Sequence, residues 1–203
     1  MNPDSEIRHL LDLMPASGRM MARLGGDPRQ SAVIETPFPL PWKPTRPISI
    51  NFQLWEQLSR QQRDLLLLRT VSWACNVRWF KPDLNQGMVV AGLVGAGVEF
   101  AQQDPVGIVL AGGLAAIGLR RIWQSNRRSE VELEADETAV RVATRRGYTE
   151  AEAARALAEA IAAAAQLEGR SGLNFMELVR CQNLKAIAKQ SPEGVPDRLR
   201  QEN

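Results

Sequence analysis

Two glycine-rich apolar runs, GMVVAGLVGAGVEFAQ and VGIVLAGGLAAIGL, fill residues 87–119 and are split by Gln102-Gln103-Asp104-Pro105. Each is about 15 residues long, short of the roughly 20 that cross about 30 Å of hydrocarbon. With flanks from Asn85 and out to Trp123 each approaches that length. The pattern predicts two antiparallel membrane helices over about 85–123 with a tight polar turn. Gly87, Ala91 and Gly95 recur every fourth residue, as do Gly107, Ala111 and Ala115. Small residues at that spacing let helices pack closely in lipid. Trp79, Phe80 and Trp123 flank the open ends like interfacial aromatics. Arg78 and Lys81 precede the hairpin, Arg120, Arg121, Arg127 and Arg128 follow it, and the turn carries Asp104. Such asymmetry predicts an integral membrane protein with both flanks on the cytoplasmic side. The alternative is a Gly/Ala-rich hairpin inside a soluble helical module, or one that contacts a partner.

The rest of the chain narrows the chemistry. Its 203 residues hold one histidine, His9, and two cysteines, Cys75 and Cys181. One imidazole excludes any single-chain site that needs two, and two distant cysteines build neither a disulfide framework nor a cysteine-rich metal module. His9 lies beside Leu10 on an amphipathic pattern and reads as a surface residue; Cys75 reads as a small buried hydrophobe. The net charge of +2 lacks the basic excess that phosphate binding needs, so nucleic acid is not an expected partner. The glycines of 92–97 and 112–118 carry no GK[ST] and no GxGxxG between strand and helix, so they form no phosphate loop. The opening residues lack the apolar core of a secretory signal.

Outside the hairpin the pattern is mostly α. Ile7, Leu10, Leu11 and Met14 predict a short amphipathic helix over 4–14, followed by a loop at Gly25, Gly26 and Pro28. Pro37, Pro39, Pro41, Pro44 and Pro47 forbid helix over 32–50. That stretch reads as extended, with Ile48-Ser49-Ile50 alternating as a strand. A short helix follows from Phe52. Ser59 caps a second, over 60–77, whose Leu65-Leu66-Leu67-Leu68 centre is apolar all round and therefore buried. Beyond the hairpin come a helix from Ser129 ending at Gly147, a capped helix over 150–167 and a last helix from Asn174. The tail, 191–203, reads as flexible. The division is 1–31 as N-terminal helix and loop, 32–190 as the main domain, and the tail.

Three blocks stand in order: Phe38-Pro39-Leu40-Pro41 with Ile48-Ser49-Ile50; the buried helix through Arg69-Thr70-Val71-Ser72-Trp73; and Glu130-Val131-Glu132-Leu133-Glu134-Ala135-Asp136 with Gly147-Tyr148 downstream. This order resembles the HtpX-like and CAAX-prenyl-endopeptidase-like membrane metallopeptidases. In those an extended segment precedes an HExxH helix, and an ExxAD helix supplies the third zinc ligand. The resemblance places Glu132 at the ligand glutamate and Ala135-Asp136 at the AD pair. It also places Arg69 and Trp73 at the two histidines and Thr70 at the general base. Arginine and tryptophan offer no lone pair to zinc and threonine is a poor base, so the peptidase chemistry does not carry over. Glu132 and Asp136 share a helix face. The Arg69 guanidinium is expected to stand in place of the metal's charge, paired with one of them. The whole chain also resembles an uncharacterised cyanobacterial membrane-protein family, through Met1-Asn2-Pro3-Asp4-Ser5-Glu6 and the run Leu65–Trp73.

The expected protein is therefore a zincin-like helical domain interrupted by a two-helix transmembrane hairpin. Arg69, Thr70, Trp73, Glu132 and Asp136 form a vestigial site without catalytic residue, metal or cofactor. Its expected role is a membrane-anchored scaffold or assembly factor bound to a protein partner, with homo-oligomerisation open, in a thylakoid or plasma membrane. An active hydrolase with a non-standard site is the alternative from another class.

Overall fold

The computed structural model describes residues 2–40, 42–76, 84–102, 105–125 and 129–189, and in the segment 84–125 only part of the side chains. In chain order the elements are α1 (Pro3–Leu13), α2 (Ala16–Met21), β1 (Ala22–Gly26), β2 (Ile34–Glu35), β3 (Arg46–Ile50), α3 (Phe52–Trp55), α4 (Arg60–Asn76), α5 (Leu84–Gln102), α6 (Pro105–Ser125), α7 (Ser129–Thr144), α8 (Glu150–Leu167) and α9 (Phe175–Ile187). They fall into two compact bodies: residues 1–77 with those from 129 onward, and residues 78–128.

In the first body α4 is the central element. Leu65, Leu67, Leu68 and Val71 are fully buried, and α7 and α8 pack against the helix. A helix apolar on every face has to be enclosed. Ser59 starts it with a reciprocal cap: its Oγ accepts from Gln62 N–H (3.3 Å), and Gln62 Oε1 accepts from Ser59 N–H (2.9 Å). The same device opens α8 at Thr149/Glu152 and α9 at Asn174/Glu177. Gly147 stops α7 because the chain turns there at φ +97°, which costs a residue without Cβ little.

The extended region forms a three-stranded sheet of order β1-β3-β2. β2 is antiparallel to β3, with Ile34 opposite Ile50, as a proline-rich stretch with alternating Ile48-Ser49-Ile50 allows. β1 pairs parallel to β3, Ala22 opposite Arg46 through Gly26 opposite Ile50. Gly25 and Gly26, read as loop, are therefore strand residues. Local composition signals a turn there, and the ladder with β3 overrides it. Residues 1–31 belong to this body: Leu10, Leu13 and Met14 sit in the same core as Ile48, Trp55, Leu157 and Leu184.

The second body is a pair of packed helices, α5 and α6. The transmembrane hairpin expected there is overturned: among the described residues, no helix is long and apolar enough to cross a membrane. Polar residues close in too early. Between Gln86 and Glu99 lie 12 residues, and between Pro105 and Arg120 lie 14. At 1.5 Å per residue these runs reach only about 18–21 Å. The architecture of a zincin-like domain interrupted by membrane-spanning helices falls with it. The helix seam also differs from the expected stripe. A Cβ on Gly92 would lie 2.7 Å from Ala111 O and Ala115 N, so this glycine lets the backbones touch. Gly95 faces Ala111, and Ala115 is buried. Gly87 has open space around it and Ala91 is exposed. The seam thus runs through Gly92, Gly95, Ala111 and Ala115. The flanking Arg78, Trp79, Phe80, Lys81, Arg127 and Arg128, the turn at 103–104, the side chain of Trp123 and the tail 191–203 lie outside the described residues.

Candidate functional site

Asp136, on α7 in the first body, is a carboxylate with no exposed surface. A carboxylate there must be paired to stay charged. Arg180 of α9 supplies a two-pronged bond, Nε to Oδ2 at 2.7 Å and Nη2 to Oδ1 at 2.8 Å. Arg69 of α4 approaches from the other side, its Nε 3.5 Å from Asp136 Oδ1 and its Nη2 in an ion pair with Glu132. Three helices therefore meet on one acidic side chain.

A second pairing lies beside it. Arg170 donates Nη1 and Nη2 to the two oxygens of Glu177 at 2.7 and 2.8 Å, and Nε to Glu168 at 3.0 Å. Glu177 also caps α9, and Glu168 Oε1 accepts from Val33 N–H at 2.9 Å, tying the end of α8 to the sheet. Arg69, Glu132 and Arg180 of the first cluster and the three residues of the second line one cleft of about 420 Å³, together with Thr70, Trp73, Ile161 and the β2 residues Ile34 and Glu35.

The electrostatics follow from crowding. Burial pushes the Arg69 guanidinium down to about 9, and neighbouring Arg180 pushes the same way, while Asp136 pulls back. Arg69 is still a cation at neutral pH. Burial would lower Arg180 as well, but the Asp136 carboxylate overrides it and holds Arg180 above its ordinary value. For Glu177 burial works upward, yet Arg170 and the Asn174 N–H win and keep the carboxyl below its ordinary 4.5. A carboxyl depressed in the folded state contributes stability above its unfolded value and loses it as pH falls through the folded one. Acid unfolding is therefore expected to have a component below pH 4.5 that Glu177→Gln removes, read by circular dichroism across a pH series.

Of the residues singled out from sequence, Arg69, Glu132 and Asp136 come together. Thr70 and Trp73 line the same cleft, but the Thr70 hydroxyl is spent on Leu66 O at 2.8 Å, one turn back. Trp73 packs edge-on against Phe38 with ring centres 6.0 Å apart, and its indole N–H has no partner among the described residues. Glu134, in the same acidic run, is exposed. Arg180, Arg170, Glu168 and Glu177 escaped the sequence reading. A lone arginine on an amphipathic helix has no spacing that marks its partner 44 residues away.

A further polar group was also missed. His9 Nε2 sits 2.9 Å from Asp64 Oδ1, and Tyr148 donates its hydroxyl to Asp64 Oδ2 at 2.7 Å. Asp64 is buried on α4, and Arg60 Nη2 stands 3.4 Å from His9 Nδ1. His9 is thus no free surface residue: both ring nitrogens face a partner. Nearby Glu6 accepts from Trp55 Nε1 (3.0 Å) and Arg63 Nη1 (2.9 Å), fastening α1 to α3 and α4. Burial pushes both thiols, Cys75 and Cys181, above the ordinary value, so they are protonated at neutral pH.

The family model described as "Protein of unknown function (DUF3318)" matches residues 8–148, which takes in the sheet, α4, both helices of the second body and α7. The chain belongs to this family. In this chain Arg69, Glu132 and Asp136 fall inside the matched region, while Arg170, Glu177 and Arg180 fall beyond it. One similar protein is "Thylakoid membrane protein slr1949" of Synechocystis sp. (strain ATCC 27184 / PCC 6803 / Kazusa), 34% identical over 116 residues. That stretch is 56% of this chain and 55% of that protein, so the chain spans about half the length of the relative it matches. No solved structure matches. The resemblance to a cyanobacterial membrane-protein family thus holds, and the comparisons bring no metallopeptidase with them.

Proposed function

We propose that this DUF3318 protein is a membrane-attached, non-catalytic accessory protein, whose α5–α6 hairpin meets the membrane and whose larger helical body presents a surface to a protein partner. The observation that carries the reading is the surface of the hairpin. Val90, Leu93, Val94, Val109 and Leu110 are each at least 60% exposed on two helices that meet along a narrow small-residue seam. Monomers in water do not keep such a surface bare. The name of the Synechocystis relative, a thylakoid membrane protein, points the same way.

The polar chemistry supports the non-catalytic part. Asp136, Glu168 and Glu177 are each held by guanidinium groups, and Glu132 pairs with Arg69. The single imidazole is engaged at both nitrogens, and both thiols are held in the protonated form. A base or nucleophile has to be free to act. The ion-paired cluster instead clamps α4, α7 and α9 into a fixed body on which a partner can dock.

The test is fractionation of cells expressing the full chain. Wild type is expected in the membrane pellet. The variant Leu93→Gln/Val94→Gln/Val109→Gln/Leu110→Gln is expected in the supernatant. Wild type in the supernatant, or a variant that stays in the pellet, sinks the reading. Migration in a mild-detergent native gel well above the 22.5 kDa chain, lost on adding an excess of the unlabelled protein, checks the partner.

A further inference from the structure

We propose that the larger body makes a membrane contact of its own, through Trp42, Phe175 and Leu178 at the end from which the chain leaves for the hairpin. The proposal rests on the membrane reading above and adds a second, separate contact to it. Among the described residues of the larger body, four large apolar side chains stand exposed: Met20, Trp42, Phe175 and Leu178. The last three belong to one end. The chain leaves this body after α4, which ends at Asn76, and re-enters it at Ser129, the start of α7. The two helices run antiparallel: Arg69 pairs with Glu132, while Asp64, further back on α4, holds Tyr148, beyond the end of α7. Exit and re-entry therefore share one end. α9 runs parallel to α7, since Val179 packs on Leu133 and Asn183, one turn on, reaches Glu137 at 3.4 Å, also one turn on. Its first turn, with Phe175 68% and Leu178 54% exposed, thus stands beside the start of α7.

Trp42 comes to this end on a strapped loop. Phe38 packs on Trp73, and the Arg46 charge acts on the Cys75 thiol, so both feet of the loop lie by the last turn of α4. Arg46 Nη1 donates to Leu40 O at 3.3 Å and to Lys43 O, and Lys43 N–H donates to Leu40 O at 3.1 Å. The turn that carries Trp42 is thereby fixed, yet Trp42 is 71% exposed. Apolar side chains held bare at one end mark a contact surface. Glu35, Glu130 and Glu134 are exposed here beside Lys43 and Arg23, so no basic excess draws this end to anionic headgroups. The contact is made by apolar groups, and tryptophan, phenylalanine and leucine are the side chains that settle at a headgroup boundary. Continuity favours lipid over a protein groove. The exposed apolar surface of the hairpin runs from Phe100 and Val106 near its turn to Val90 and Ile117 toward its joined ends. A bilayer that takes up that length draws in the end of the larger body that the chain leaves from.

Co-flotation of the purified full chain with neutral phosphatidylcholine vesicles tests this. Wild type is expected to float, and to keep floating in about 0.5 M salt, because the contact is apolar. Trp42→Ala/Phe175→Ala is expected to weaken binding about tenfold or more, the effect of returning two aromatic faces to water. Trp42→Phe keeps an apolar ring in place and is expected to bind within about threefold of wild type. Its tryptophan emission is expected to lose part of the quenching that bromine-labelled lipid imposes on wild type. The control Gln61→Ala/Arg145→Ala, exposed at the opposite end of the body, is expected to bind as wild type. Circular dichroism confirms that the variants are folded. A double variant that floats as wild type does, or a Trp42→Phe protein quenched as fully as wild type, overturns the second contact and leaves the hairpin's attachment standing. Wild type that fails to float overturns the membrane reading itself, and this contact with it.

Discussion

Replacing Asp136 with alanine is expected to lower the unfolding free energy by about 3–5 kcal/mol, the cost of stranding a buried charge. Arg180 is nearly as buried as Asp136 and donates both of its short bonds to that carboxylate. Without it the Arg180 guanidinium faces Arg69, which burial and Arg180 already press downward. Against a total stability of about 5–15 kcal/mol such a loss is severe. It corresponds to a fall in Tm of about 6–20 °C for a chain of this size. The pair is not thereby a net stabiliser. Asp136→Leu/Arg180→Met removes both charges together and is expected to recover much of the loss. Glu134→Ala, exposed on the same helix, is expected to stay within about 0.5 kcal/mol of wild type. Urea unfolding of the four proteins decides it. An Asp136→Ala midpoint indistinguishable from that of Glu134→Ala would refute the clamp.

The second large effect is expected at Asp64. This buried carboxylate accepts from Tyr148 and faces His9, joining the N-terminal helix, α4 and the turn before α8. Hydrogen bonds to a charged acceptor contribute about 1.5–3 kcal/mol each, but both partners are half-exposed and recover some bonding from water, so Asp64→Ala is expected to cost about 2–4 kcal/mol. The site also reports on itself. Tyr148 is the chain's single tyrosine, so tyrosinate absorbance reads this phenol alone. Burial first, and then the bond to Asp64, push its pKa well above the ordinary 10. A phenol raised in the folded state keeps its stabilising contribution below pH 10 and loses it as pH climbs through the folded value. In Asp64→Asn the phenol is expected to ionise at lower pH, though burial still holds it above an exposed tyrosine. If that variant ionises at the same pH as wild type, Asp64 is not the partner.

Much of the local structure was written in short stretches of residues. The proline run 37–47 excluded helix, the four leucines of 65–68 required enclosure, and Ser59, Thr149 and Asn174 fixed three helix starts, because caps and periodicity are properties of neighbouring residues. Spacing also placed Glu132 and Asp136 on one face of a helix. The hairpin shows where such reading stops. Two helices formed at the places that composition marked, but their apolar runs were lengthened in the reading by polar flanks that cannot count toward a span.

Only the folded chain decided the pairings. Nothing near Gly25 announces a parallel ladder to residues 46–50, nothing near His9 announces Asp64, and nothing near Asp136 announces Arg180. Each joins segments 20 or more residues apart, and a charge carries no address in sequence. A lone charged residue fits a solvated helix face and a buried clamp equally well. Burial separates the two, since a carboxylate deprived of water must find a cation or lose its charge. The sequence by itself determined which segments are helix, which are extended and how apolar the hairpin is; the tertiary structure decided which charges leave water, and so which of them hold the protein together.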